Sequence, residues 1–134
     1  MLPTIDRTTF PLLVVRFPSV VTPAEVDLHL DEVTDLVTRA TGRVAIVVDL
    51  TSTDILSPAL RENAAAKLRA LHPLAGGRVA GVAHVVGSAL TLGAITGILW
   101  VAPAPYPTFV TRSLEEATVW ARRRLESIAP PAGP

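Results

Sequence analysis

The sequence predicts an α/β sandwich, a single domain in which a mostly parallel sheet of four to five strands is covered by about four helices. Two observations lead to this fold class. Short apolar runs alternate along the chain with amphipathic segments, and most of those segments begin with a hydroxyl side chain followed by Pro or Glu. Strands that alternate with helices pair in parallel through right-handed crossovers, so helices must cover the sheet.

The strand candidates are short runs rich in Val, Ile and Leu. Residues 1–7 predict a short edge strand, followed by a turn at residues 6–9. Continuous apolar runs without alternation are typical of central strands that are buried on both faces. The central candidates are residues 10–17, 44–50, 78–86 and 108–111.

The first and last helices have the clearest start signals. Thr22 and Glu25, with Pro23 between them, stand in the order of a capping box, and Ser113 with Glu116 repeats that order. Each helix carries one apolar stripe that should face the sheet. The stripes are Val26, Leu30, Val33, Val37 and Ala40 in the first helix, and Leu114, Ala117, Ala121, Leu125 and Ile128 in the last.

A second helix is predicted from the cap Ser57 and Pro58 to about residues 72–73, where a proline disfavours continuation. At 134 residues the chain fits one domain. We assign residues 1–128 to that domain and expect the proline-rich residues 129–134 to be disordered.

The third predicted helix, residues 88–100, is apolar on almost every side. Such a helix is either central in the fold or covered by a partner, a second copy or an apolar ligand. Leu92 and Trp100 are its candidate contact residues, and Gly93 with Gly97 predicts close packing of the helix on the sheet. Tyr106 follows in an extended proline-rich linker, where it is either an aromatic anchor for a partner or a core residue.

Composition excludes several function classes. Twelve basic and twelve acidic residues, with few aromatics, argue against a nucleic-acid partner. The absence of cysteine excludes disulfides and thiolate chemistry and suits the cytoplasm. No leader or apolar segment long enough for membrane insertion is recognisable. The histidines His29, His72 and His84 have no metal-ligand spacing, so we predict neither a metal site nor a cofactor.

The loop after the strand at residues 44–50 is the best candidate site, because ligands of α/β sheets bind beyond the carboxyl ends of the strands. Its polar candidates lie between the strand and the next helix, and Arg61 follows in that helix. They are Asp49, Ser52, Thr53, Asp54 and Ser57. Hydroxyls and carboxylates at a helix start also serve simply as caps and turn acceptors, so both interpretations stay open.

At this loop the chain resembles the STAS domain and the SpoIIAA-like family of small bacterial proteins. The matching features are the strand ending in Asp49, the loop with Ile55 and Leu56, and the helix that follows. Residues 79–86 and 113–122 are also similar to SpoIIAA-like sequences. In phosphorylated anti-sigma-factor antagonists this helix begins with Asp-Ser, and the serine takes the phosphate. Here Ser57 stands at the aspartate position and Pro58 at that of the serine, so the resemblance implies a module without the usual phosphoacceptor.

The resemblance favours a non-enzymatic protein-interaction module that binds a protein partner, and the apolar third helix favours a homo-oligomer. We expect this module to act in the cytoplasm as a regulator or scaffold. A small carrier for an apolar, lipid-like ligand is the alternative, because an all-round apolar helix suits a pocket equally well. An enzyme using Asp49, Asp54 or His84 would require those groups to converge in one cleft.

Overall fold

The computed structural model describes residues 2–52, 77–101 and 103–127, together with residues 62, 66, 69–70 and 73. Within them lie five strands and three helices with defined bounds. The strands are β1 (Thr4–Asp6), β2 (Leu12–Arg16), β3 (Val44–Leu50), β4 (Val79–Val86) and β5 (Thr108–Thr111). The helices are α1 (Pro23–Arg39), α2 (Ala89–Val101) and α3 (Leu114–Ser127).

The strands form one sheet in the order β1-β2-β3-β4-β5. The edge strand β1 is antiparallel to β2, and every other neighbouring pair is parallel. The predicted α/β fold with a mostly parallel sheet is therefore confirmed. The sequence predicts about four helices, and three have defined bounds, because most of the predicted second helix lies outside the described residues. The predicted tail, residues 129–134, also lies outside them. Glu62, Ala66, Arg69, Ala70 and Pro73 do have helical backbone.

The sheet buries apolar side chains on both faces. The first face is covered by α1 and α2, and its strand residues include Val15, Ile46, Val48 and Val82. The second face is covered by α3, whose Ala117 and Ala121 pack against residues such as Val47 and Ala83. The crossovers containing α1 and α2 lead the chain in the same direction across the sheet, and right-handed crossovers then place both helices on one face.

The two predicted capping boxes have different outcomes. At α1 the box is complete, because the Glu25 N–H donates to Thr22 Oγ1 (3.2 Å) and the Thr22 N–H donates to Glu25 Oε1 (3.0 Å). At α3 only half of it forms, through the bond from the Glu116 N–H to Ser113 Oγ (3.1 Å).

The second bond of the predicted capping box at α3, from the Ser113 N–H to the Glu116 side chain, does not form, so this part of the prediction is wrong. Thr111 of β5 accepts from the Ser113 N–H instead. The buried Thr111 hydroxyl donates to Glu116 Oε2 (2.8 Å) and accepts from the Ser113 N–H (3.1 Å). The last residue of β5 is thereby joined to the first turn of α3, and the Ser113 N–H is satisfied by the residue two positions before it.

Arg78, immediately before β4, closes the carboxyl end of α1. Its guanidinium donates to the carbonyl oxygens of Ala40 and Thr38, the latter at 2.9 Å. These carbonyls lie in and just beyond the last turn of the helix, where intrahelical donors are lacking. A cation at this end also complements the helix dipole.

We expect Arg78→Ala to lower the free energy of unfolding by about 2 kcal/mol, because charged donors to two helix-terminal carbonyls are lost. Urea titration followed by circular dichroism measures this change. Arg123→Ala removes an exposed arginine from α3 and should alter the stability by less than about 0.5 kcal/mol. Equal losses for the two variants would contradict the capping role of Arg78.

Gly81 lets α3 lie close to β4. A Cβ atom at this position would stand 2.7 Å from Cη2 of Trp120, whose ring stacks on Phe109 at a centroid distance of 5.5 Å. Gly42, in contrast, has open space where its Cβ would be. The two glycines therefore form a matched pair for testing the packing of α3.

We expect Gly81→Ala to destabilise the protein by about 1–3 kcal/mol, because the added methyl displaces the Trp120 ring. Gly42→Ala should leave the stability unchanged or raise it by up to about 1 kcal/mol. Thermal unfolding of both variants provides the comparison. If Gly81→Ala were as stable as Gly42→Ala, the close approach of Trp120 to β4 would be incorrect.

Candidate functional site

Asp49 organises the loop after β3. Its side chain is almost buried, and its Oδ1 accepts hydrogen bonds from the N–H (2.9 Å) and the hydroxyl (2.6 Å) of Thr51. Its Oδ2 lies 3.6 Å from Nε of Arg16, the last residue of the adjacent strand β2. The carboxylate is thus engaged on both oxygens, and its role in this geometry is to fix the loop.

The ion pair lies on the second face of the sheet, near its β1 edge. Asp49 and Arg16 are partners in the β2–β3 register, and Thr4 of β1 is the partner of Arg16 on the other side. Arg16 also contributes to lowering the pKa of Asp6, although hydrogen bonds from the Thr8 hydroxyl and N–H are the main cause. Asp6, Arg16 and Asp49 therefore form a short row of alternating charge from β1 to β3.

The ends of β3, β4 and β5 are joined at the same edge. A Cβ on Gly87 would stand 2.8 Å from the carbonyl oxygen of Thr51, so the loops after β3 and β4 are in backbone contact. Arg112, after β5, donates to the carbonyl of Gly87 at 3.4 Å. We call this continuous strip the carboxyl-edge surface; it consists of Arg16, Asp49, Thr51, Ser52, Gly87 and Arg112.

The predicted candidates of this loop are only partly placed. Asp49 stands at the carboxyl-edge surface, and Ser52 is exposed beside it. Thr53, Asp54, Ser57 and Arg61 lie outside the described residues.

The apolar and aromatic candidates differ in how far they are buried. The Trp100 side chain is 85% exposed, whereas Leu92 is half-buried against the first-face core. Tyr106 is buried in that core, and burial raises the pKa of its hydroxyl while nearby Arg69 lowers it. The prediction of Tyr106 as a partner-binding residue is therefore wrong, because its ring packs inside the protein and is not accessible to a partner.

The helix α2 lies on the surface. None of its described side chains is fully buried, and Leu90 is 72% exposed. Gly93 and Gly97 are also exposed, with no atom within 4 Å of a Cβ placed on either. The alternative of a central helix is thus removed, and the prediction that these glycines pack on the sheet is wrong. We call Leu90, Gly93, Gly97 and Trp100 the α2 stripe.

Sequence reasoning missed Arg16, Gly87 and Arg112. Each immediately follows or ends a strand, and in a parallel sheet those positions share one edge. The signal was therefore available for Arg16, since both it and Asp49 end apolar runs. The contact of Gly87 with Thr51 depends on the β3–β4 register, which a single sequence does not display.

His84 and Asp49 are on opposite faces of the sheet. Neighbours alternate along a strand, so His84 shares the first face with Val82 and Val86, while Asp49 shares the second face with Val47. The two side chains are therefore not placed to act in one cleft. The third residue of the enzyme hypothesis, Asp54, lies outside the described residues.

Two histidines lie in the first-face layer, where His29 is buried and His84 is partly buried. The Nδ1 atoms of His29 and His84 are buried without a hydrogen-bond partner, and the His29 ring meets Phe17 edge to face at 5.3 Å. Burial lowers the pKa of His84 to about 4, against a hydrogen bond with the Phe109 backbone that raises it. Burial likewise lowers the pKa of His29, opposed by nearby Glu32.

The described part of the chain contains no group of three or more acidic or histidine side chains that could hold a metal ion. Among its helices, none combines the length and the apolar character that crossing a membrane demands.

Comparisons with known proteins support the fold. No protein-family model matches the sequence, and no curated protein matches it. Among solved structures, an uncharacterized protein of the DUF3478 family from Shewanella loihica PV-4, which has a SpoIIAA-like fold, is similar with a TM-score of 0.61. It is 18% identical, and the match covers 89% of this chain and 91% of that one. The chain therefore has a STAS-type, SpoIIAA-like fold.

His84 should make the protein less stable in acid. Its folded pKa of about 4 lies below the value of about 6.5 expected in the unfolded chain. Between these values the unfolded state binds the extra proton, so stability is complete above about pH 6.5 and is lost as the pH falls toward 4. The loss attributable to His84 is about 3 kcal/mol.

Urea titrations at about pH 7 and about pH 4.5 measure this loss. In His84→Leu we expect a smaller difference between the two pH values, with part of the decline retained because His29 titrates with the same sign. An unchanged pH dependence in His84→Leu would contradict the burial of a neutral imidazole.

Proposed function

We propose that this protein is a STAS-type interaction module of the cytoplasm that binds a protein partner, associates with itself, and acts as a regulator or scaffold and not as an enzyme. The observation that carries the proposal is the exposure of α2, a helix of thirteen residues without a single charge. An exposed apolar surface of this kind is typical of a recognition site.

The carboxyl-edge surface supports partner binding by its rigidity. Asp49 holds the turn through Thr51, Gly87 packs on that turn, and Arg112 bonds to Gly87. A surface whose shape is set before binding loses little conformational entropy when the partner docks. Arg16, with a side chain 58% exposed, adds a cation at the rim that can influence the rate and specificity of association.

The engaged state of Asp49 favours binding over catalysis. A general base requires a carboxylate that can accept a proton from a substrate, whereas both oxygens of Asp49 already face protein donors. His84 faces the opposite side of the sheet. These placements support a non-catalytic role for the two groups that were the best acid–base candidates.

The resemblance to anti-sigma-factor antagonists suggests how this module differs from them. Those proteins are switched by phosphorylation of a serine that the present sequence replaces with Pro58. We therefore propose that partner binding here is not controlled by phosphorylation at that position.

A carrier for an apolar ligand is the second candidate, and two buried ring nitrogens favour it. The Nδ1 atoms of His29 and His84 lie in the first-face layer without protein partners, where a polar group of an otherwise apolar ligand could be accepted. Native mass spectrometry of the purified protein tests this candidate. The mass of the bare chain alone, with no additional species, would count against a carrier.

Affinity capture with paired variants tests partner binding. We expect wild-type protein, immobilised and exposed to an extract of its own source cells, to retain a specific protein, and Arg16→Ala to retain several-fold less because the rim cation is lost. Leu28→Ser serves as the control, because it alters an exposed residue of α1 outside the carboxyl-edge surface. Quantitative mass spectrometry compares the captured proteins.

Two results would argue against the proposed partner site. One is the absence of any protein that wild type retains above an empty matrix. The other is equal capture by wild type, Arg16→Ala and the control, which would place binding elsewhere on the molecule.

A further inference from the structure

We infer that the α2 stripe is the self-association surface, and that it pairs antiparallel with the same stripe of a second copy of this chain about a two-fold axis. This inference rests on the proposed function and specifies its self-association. The residues that carry it are Leu90, Gly93, Gly97 and Trp100, all exposed in the single chain.

The stripe occupies one side of the helix. Its members follow each other at steps of three, four and three residues, which brings them onto a common face. Leu92 and Ile95 are on the other side, where they pack against the first-face core. The stripe therefore points away from the sheet and is not needed for the packing of α2 on its own domain.

The stripe has the internal symmetry of an antiparallel pair. Gly93 and Gly97 lie two residues on either side of position 95, and Leu90 and Trp100 lie five residues on either side of it. When two such helices cross antiparallel at the level of residue 95, Gly93 opposes the Gly97 position of the second copy. Leu90 then opposes the Trp100 position. A surface that matches itself under two-fold rotation is the requirement for an isologous dimer.

The shape of the stripe is suited to helix contact. The open space at both glycines lets a second helix backbone approach closely, and the large side chains at the two ends project beside it. Each Trp100 can then cover the adjacent end of the opposing helix. Because α2 contains no charged residue, pairing neither buries an unpaired charge nor opposes like charges along this helix.

The area indicates a reversible dimer. Covering the exposed parts of two tryptophans removes about 350 Å² from water, and the leucines and glycine grooves add to it. Stable interfaces bury about 1,200–2,000 Å² in total, so this contact is smaller than a stable interface and belongs to the weak, transient class. We therefore expect association that depends on concentration, with Trp100 as the principal anchor.

Sedimentation velocity from about 1 μM to about 1 mM tests the pairing. Wild type should shift from monomer to dimer across this range, and Trp100→Ala should raise the dissociation constant at least about tenfold, because each dimer loses two anchors. Leu28→Ser, an equally simple change of an exposed apolar residue on α1, should dimerise like wild type.

Gly97→Gln separates association from folding. A Cβ atom at this position has open space around it, and replacing glycine inside a helix by a good helix former should raise the thermal midpoint of the dilute protein. The new side chain fills the groove that the second helix would enter, so dimerisation should fall at least about tenfold. A loss of dimer caused by misfolding would instead lower the midpoint.

Cysteine cross-linking determines the orientation, and the absence of native cysteine makes each probe unique. Leu90→Cys protein, which keeps both Trp100 anchors, should form few disulfide-linked dimers with itself, whereas its mixture with Trp100→Cys, at a protein concentration raised to offset the lost anchor, should form mixed disulfide dimers. In the antiparallel pair, identical positions lie about 15 Å apart along the axis, while positions 90 and 100 are neighbours. Preferential cross-linking of identical positions would overturn the antiparallel arrangement.

Other results would overturn the inference as a whole. These are a wild-type monomer throughout the concentration range, a dimer insensitive to both Trp100→Ala and Gly97→Gln, or a monomer that binds phosphatidylcholine vesicles through Trp100. Loss of self-association would leave the capture experiment on Arg16 unaffected. Loss of capture would in turn leave the sedimentation result intact, so the two failures are distinguishable.

Discussion

The complete burial of β3 is the constraint on which the rest of the structure depends. All seven residues, Val44–Leu50, are buried, so the strand needs neighbours on both edges and cover on both faces. Parallel pairing with β2 and β4 satisfies its backbone groups. The apolar faces then require helices, and right-handed crossovers in one direction supply α1 and α2 to one face while α3 closes the other.

This arrangement also determines where chemistry and recognition can be located. Parallel strands β2 to β5 end at one edge, so Arg16, Asp49, Gly87 and Arg112 become neighbours although they are distant in sequence. The carboxylate of Asp49 is the polar end of an otherwise apolar strand, and it is stabilised there by Thr51 and Arg16. The fold thus places a fixed turn at Thr51 directly after a buried strand.

Features governed by local chemistry were predictable from the sequence. The bounds of β3 and β5 and the capping box of Thr22 match the predictions because apolar runs, turn residues and caps act over a few residues. Features governed by tertiary contacts were not. Tyr106 joined the core because residues far along the chain surround it, and at α3 the buried Thr111 at the end of β5 took over the return bond of the capping box.

The candidate site likewise combines a feature set by the local sequence with features set by the pairing of strands. Asp49 was predictable as the end of a buried strand, whereas its ion pair with Arg16 depended on the alignment of two strands. The exposure of α2 could not be predicted either, since an apolar helix can equally be central. Its packing against β4 and β5 leaves one half of α2 facing outward.

The composition of α2 is unexplained by the needs of a single chain. Glycine inside a helix costs about 0.5–1 kcal/mol relative to alanine, yet neither Gly93 nor Gly97 relieves a contact within the monomer. Trp100 likewise leaves most of its surface in water, where burial would be favourable. The exposed glycines and the exposed tryptophan lie on the same helix face. Both would be favourable if the helix of a second copy entered the glycine groove and covered Trp100. The proposed pairing of two copies would therefore account for residues that folding of the isolated domain does not require.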